Sequence, residues 1–99
     1  MDRSEKILKA IYDAIDEVND QLPKEQRLLK NKNTTLFGKL DSLGLVNFII
    51  LVEQNIENLF NKTINLNNEK TLSGEQSPLT NVKALLDYIS SDLEEKHND

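Results

Sequence analysis

Leu40-Asp41-Ser42-Leu43-Gly44-Leu45-Val46 runs directly into Asn47-Phe48-Ile49-Ile50-Leu51-Val52-Glu53. A polar pair meets a strongly apolar run there, the pattern of a loop giving way to a helix. Asp41 can cap such a helix, because its carboxylate accepts the orphan backbone N–H groups of the first turn. Ser42 then stands in that first turn, at the positive end of the helix dipole. The pattern predicts a helix over residues 42–60. Successive residues turn about 100° around its axis, which gathers Leu45, Ile49, Val52, Ile56, Leu59 and Phe60 on the face expected to meet the core. Gly44, Asn47, Asn55 and Asn58 mark the wet side, with Leu51 among them, while Leu43, Val46 and Ile50 lie on a flank beside Glu53, Gln54 and Glu57. That is more apolar surface than one core-facing stripe needs. It suits either a central helix packed by neighbours on several sides or a face on which a partner docks.

Ahead of this stretch, Ile7, Leu8, Ile11, Ala14, Ile15, Val18 and Leu22 recur at three- and four-residue steps. They predict an amphipathic helix over about residues 4–21, capped by Asp2 or Ser4 and stopped by Pro23. The connection from 23 to 40 is long for a compact domain, so it is expected to be functional or internally packed. Leu28, Leu29, Leu36 and Phe37 are its expected packing points, and Gly38 suits a tight turn just before Ser42. Beyond the central helix, Ile64 and Leu66 alternate with polar residues and predict an extended loop that tucks two side chains inward. Residues 71–75 can form one helical turn, ended by Gly74 or Pro78. A last helix starts after Thr80 or Asn81 as cap, with Val82, Leu85, Leu86, Ile89 and Leu93 as its stripe. The polar tail 94–99, which holds the lone His97, is expected to fray and to be solvated. These elements predict one all-α domain over 1–99, with an ordered core of about 4–93. Its architecture is a small antiparallel bundle of three long helices plus a short helix, close to monomeric because no heptad pattern is sustained.

Composition narrows the chemistry. The 99 residues include no cysteine, which excludes disulfides, a cysteine nucleophile and thiolate metal sites. Net charge is −5, with no basic stripe, so nucleic acid is not an expected partner. No apolar run is long enough to span a bilayer, and the first residues lack the pattern of a secretory signal. A cytoplasmic location is therefore expected. No histidine or lysine neighbours Ser42, so no catalytic group that would activate it is visible, and an enzyme is not expected.

A phosphate ester on Ser42 would be stabilised by the N–H groups and dipole of the helix it opens. Asp41-Ser42-Leu43 at a loop–helix junction, Val52-Glu53 partway along the helix, and Thr80-Asn81-Val82 followed by Leu85-Leu86-Asp87-Tyr88-Ile89 together resemble the acyl carrier protein family. The resemblance covers roughly residues 7–89. It implies the family's helical bundle and 4′-phosphopantetheine carried covalently on Ser42, with Asp41 and Leu43 flanking the attachment. It also implies a thioester to an acyl or aminoacyl cargo, as in lipid or polyketide biosynthesis. The implied partners are a phosphopantetheinyl transferase, which brings its own metal and base, and acyl-loading and acyl-processing enzymes. The docking face implied by the resemblance comprises Leu43, Val46, Asn47, Ile50, Glu53, Gln54 and Glu57, and no metal site is implied. Three departures point away from the general fatty-acid carrier and toward a free-standing, specialised type. Gly44 and Asn47 stand where acids often follow the serine, Phe60 lies about one turn later than expected, and 67–79 is long. The alternative is an unmodified helical adaptor, in which Asp41-Ser42 is only a cap and the apolar helix docks in a partner groove.

Overall fold

The computed structural model describes residues 2–36, 40, 42–66 and 80–97, at Ser42 and 94–97 for the backbone. Three α-helices account for most of them: α1 Arg3–Asn19, α2 Ser42–Phe60 and α3 Val82–His97. A short 3-10 turn, Lys24–Gln26, follows α1, and no strand occurs among the described residues. The fold is thus all-helical. Its radius of gyration is 12.7 Å, against about 13 Å for a compact domain of 100 residues. No described helix is long and apolar enough to cross a membrane.

The ends of α1 follow from local chemistry. Asp2 Oδ1 accepts the Glu5 amide at 2.9 Å, the N-cap bond that a short carboxylate is suited to make. At the other end the Gln21 and Leu22 amides turn back to the Val18 and Asn19 carbonyls, both at 3.0 Å, before Pro23. The helix therefore stops two residues ahead of the expected boundary and tightens as it stops. Ile7, Ala10, Ile11, Ala14, Ile15 and Val18 are buried, with Leu8, Tyr12 and Leu22 packed at the edges.

The α2 helix starts on Ser42 and ends on Phe60, as its pattern predicts. Asn61 terminates it in the left-handed conformation, φ 57°, with its amide donating to the Glu57 carbonyl at 2.8 Å. Asparagine tolerates that conformation better than most residues. Two contacts show that α1 and α2 run antiparallel. Lys6 Nζ lies 6.0 Å from the centre of the Phe60 ring, and Asn55 Nδ2 donates to the Ala10 carbonyl at 3.0 Å.

This packing corrects the expected faces of α2. Leu45, Ile49, Val52 and Ile56 are buried as expected, but Phe48 is fully buried too and Leu59 is 39% exposed. Asn55, expected in water, is half-buried against α1, and Leu51 packs partly on the core. The cause at Asn55 is the side from which α1 approaches. The helix reaches that residue, beyond the apolar stripe.

The connection after α1 is packed internally rather than loose. Asn19 grips Leu28 by both backbone groups, its Oδ1 accepting from the Leu28 amide at 2.8 Å and its Nδ2 donating to the Leu28 carbonyl at 2.9 Å. Thr34 Oγ1 donates to the Leu29 carbonyl at 2.7 Å, and the Asn33 amide donates to Asn31 Oδ1 at 2.8 Å. Leu28 and Leu36 are buried as expected, but Leu29 is 76% exposed. In extended backbone, neighbouring side chains take opposite sides, so Leu28 turned inward leaves Leu29 outward. The expected contacts of Phe37, the Gly38 turn, the Asp41 cap and the helical turn at 71–75 fall outside the described residues.

The same connection caps α3. The Val82 and Lys83 amides donate to the Thr34 and Lys32 carbonyls at 3.0 and 2.9 Å, and Asn81 Oδ1 accepts from Ala84 at 2.8 Å. Thr35 and Asn81 form an isolated antiparallel bridge. These bonds satisfy the orphan donors of the α3 start. Val82, Leu85, Leu86, Ile89 and Leu93 are all buried. The helix runs on to His97, a turn beyond the expected fraying point at Leu93. Glu94, Glu95 and Lys96 are good helix formers that extend an already nucleated helix at little cost.

Candidate functional site

Ser42 is the first residue of α2. Its neighbours in the chain sort cleanly by burial. Leu40, two residues before, is buried in the core, Leu43 is 71% exposed, and Leu45 is buried. The junction therefore sits at the rim of the core, with a large apolar side chain standing in water beside the serine. The first turn of α2 carries no acidic residue, and its backbone N–H groups form the positive end of the helix dipole. Asp41 lies outside the described residues.

The face expected to dock partners divides in two. Asn47, Gln54 and Glu57 are exposed, as is Ile50 at 40%, so with Leu43 they form a continuous outward strip at helical spacing. Val46 and Glu53 are half-buried at its edge. Glu53 departs most from expectation: its Oε2 accepts from the Leu66 amide at 2.7 Å. That bond ties the segment 61–66 to α2, and Ile64 and Leu66 enter the core while Asn65 between them stays outside. The inward tuck of Ile64 and Leu66 was readable from their alternation. The role of Glu53 was not, because a glutamate on a helix flank looks like any solvated charge. With Glu53 engaged, Glu57 is the acid left exposed on the strip.

Elsewhere, a shallow groove of about 360 Å³ lies over α1, lined by Glu5, Leu8, Lys9, Tyr12, Asp13, Asp16 and Lys30. Its charges are largely matched by the Lys9–Asp13 pair at 2.8 Å and the Lys30–Asp16 pair at 3.3 Å. Among the described residues no group of His, Asp and Glu could hold a metal ion. No family model, no curated protein and no solved structure matches this chain.

Proposed function

We propose that this chain is an acyl carrier protein of the free-standing, specialised kind. It would hold an acyl or aminoacyl group on a 4′-phosphopantetheine arm at Ser42 and present it to acyl-loading and acyl-processing enzymes. The observation that carries this reading is the position of Ser42 as the first residue of α2, next to an exposed Leu43 and between the buried Leu40 and Leu45. A carrier needs a hydroxyl at the protein surface on a rigid support, with an apolar feature a partner can grip beside it. The order of elements supports the same reading: helix, packed connection, Asp-Ser-Leu, helix, closing helix.

The residues present suit the arm. Its phosphodiester is anionic, and the start of α2 offers backbone N–H groups and the positive end of a helix dipole. In the transfer, Ser42 Oγ bonds to the pantetheine-side phosphorus of coenzyme A. The pyrophosphate P–O bond breaks, adenosine 3′,5′-bisphosphate leaves, and the serine proton passes to a base of the transferase. The arm, once attached, supplies the thiol that this cysteine-free chain lacks. The chain itself holds the attachment point and offers the strip Leu43, Val46, Asn47, Ile50, Gln54 and Glu57 to partners. Tethering then raises the effective concentration of the cargo at each enzyme.

The test is intact mass after incubation with coenzyme A and a broad-specificity phosphopantetheinyl transferase. One added phosphopantetheine is expected, mapped to Ser42, and Ser42→Ala abolishes it with the helical spectrum unchanged. Mass added at Ser73 or Ser90, or none at all, overturns the carrier reading.

A further inference from the structure

Ser42 is bracketed by two side chains of one core. Leu40, two residues before it, is 6% exposed, and Leu45, three residues after it, is 7% exposed. Two residues of chain span at most about 7 Å, and three residues of helix rise about 4.5 Å. The backbone of Ser42 therefore cannot leave the core rim unless one of these side chains is withdrawn. Leu45 is held by the helix as well as by its side chain. Leu40 stands outside α2, and its amide reaches the Leu36 carbonyl at 3.4 Å, the weak end of hydrogen-bond geometry. Leu40 also lies in a β-bridge, and its buried side chain attaches the junction to the core.

We infer that Leu40 is a positioning residue for Ser42. By burying its side chain it fixes the loop–helix junction, so that the hydroxyl is offered to the transferase in one place rather than over a range of positions. This rests on the carrier reading above. A transferase that meets an ordered junction need not order it on binding. Loss of the anchor should therefore weaken productive binding and leave the chemical step alone, a rise in KM with kcat retained.

The experiment compares Leu40→Ala and Leu40→Met with Ile56→Ala. Ile56 is also fully buried on α2, but it lies about 21 Å along the helix from Ser42 at 1.5 Å per residue. Two quantities are measured well below the melting temperature of the weakest variant. One is steady-state transfer from coenzyme A with the chain as varied substrate. The other is hydrogen exchange at the Val46, Asn47 and Phe48 amides, the first that can bond within α2. Leu40→Ala should raise KM about tenfold, equivalent to 1.4 kcal/mol, with kcat within about twofold and those amides exchanging faster. Leu40→Met should restore both, and Ile56→Ala, though destabilised, should change neither. Should Leu40→Ala not fold, Leu40→Val carries the same comparison with a smaller void. A Leu40 truncation that matches Ile56→Ala in both measurements is packing alone and overturns the inference while the carrier reading stands. A wild-type chain that accepts no phosphopantetheine overturns both.

Discussion

The helices α1 and α2 differ by only two residues in length, 17 against 19, and pack against each other. Their apolar residues are used differently. Every large aliphatic side chain of α1 is buried or packed at the core edge. The α2 helix buries Leu45, Phe48, Ile49, Val52 and Ile56, yet leaves Leu43, Ile50 and Leu59 substantially exposed. A face shaped for folding alone stops where the core stops, as that of α1 does. The apolar surface of α2 continues past it, and two of those three side chains lie on the strip that begins beside Ser42. Exposed aliphatic surface does nothing for the fold, so the strip is the place to look for binding.

The largest effect expected from this contrast is in α1. Ile11 is fully buried, and Ile11→Ala should cost about 2–5 kcal/mol in urea denaturation. A cost near zero would break the claim that α1 is core throughout. Asn19→Ala comes next. It removes both bonds to Leu28 and leaves part-buried backbone groups unpaired, so about 1–3 kcal/mol should be lost. If the midpoint hardly moves, the connection is held by its apolar contacts and not by Asn19. On α2 the direction reverses. Ile50→Ala should leave stability within about 0.5 kcal/mol but, on the proposed carrier reading, weaken binding to a loading enzyme by about 1 kcal/mol, the share of its side chain still open to burial. Equal losses in both measurements would make Ile50 another core residue. The smallest effect belongs to Glu57→Gln, about 0–1 kcal/mol in binding for an exposed charge, with only modest weakening as salt rises. A steep salt dependence together with an indifferent Ile50→Ala would show an electrostatic interface and overturn the apolar one.

The parts of the molecule that were legible are those set by periodicity and local capping. The bounds of α2, the stripes of α1 and α3, the Asn81 cap and the inward turn of Ile64 and Leu66 all follow from short-range pattern. Ser42 as the opening residue of α2 belongs with them. The misreadings come from tertiary contacts. Asn55 depends on the direction from which α1 approaches α2, and Leu59 on what packs near the helix end; a helical wheel contains no neighbour. Leu28 and Leu29 are alike as residues, and which is buried is set by the backbone path that Asn19 holds at Leu28.

The amino-acid sequence by itself determined that this chain is helical, where the long helices lie, and that a serine opens the central one. Those features depend on interactions within a turn or two of chain, and nearby residues specify them. Tertiary structure alone decided which apolar residues of α2 are core and which are offered to solvent. It also turned Glu53 from a surface charge into the acceptor for Leu66, and set Leu40 against the core just ahead of Ser42. These depend on contacts between residues far apart in the chain, whose geometry exists only once the helices have packed.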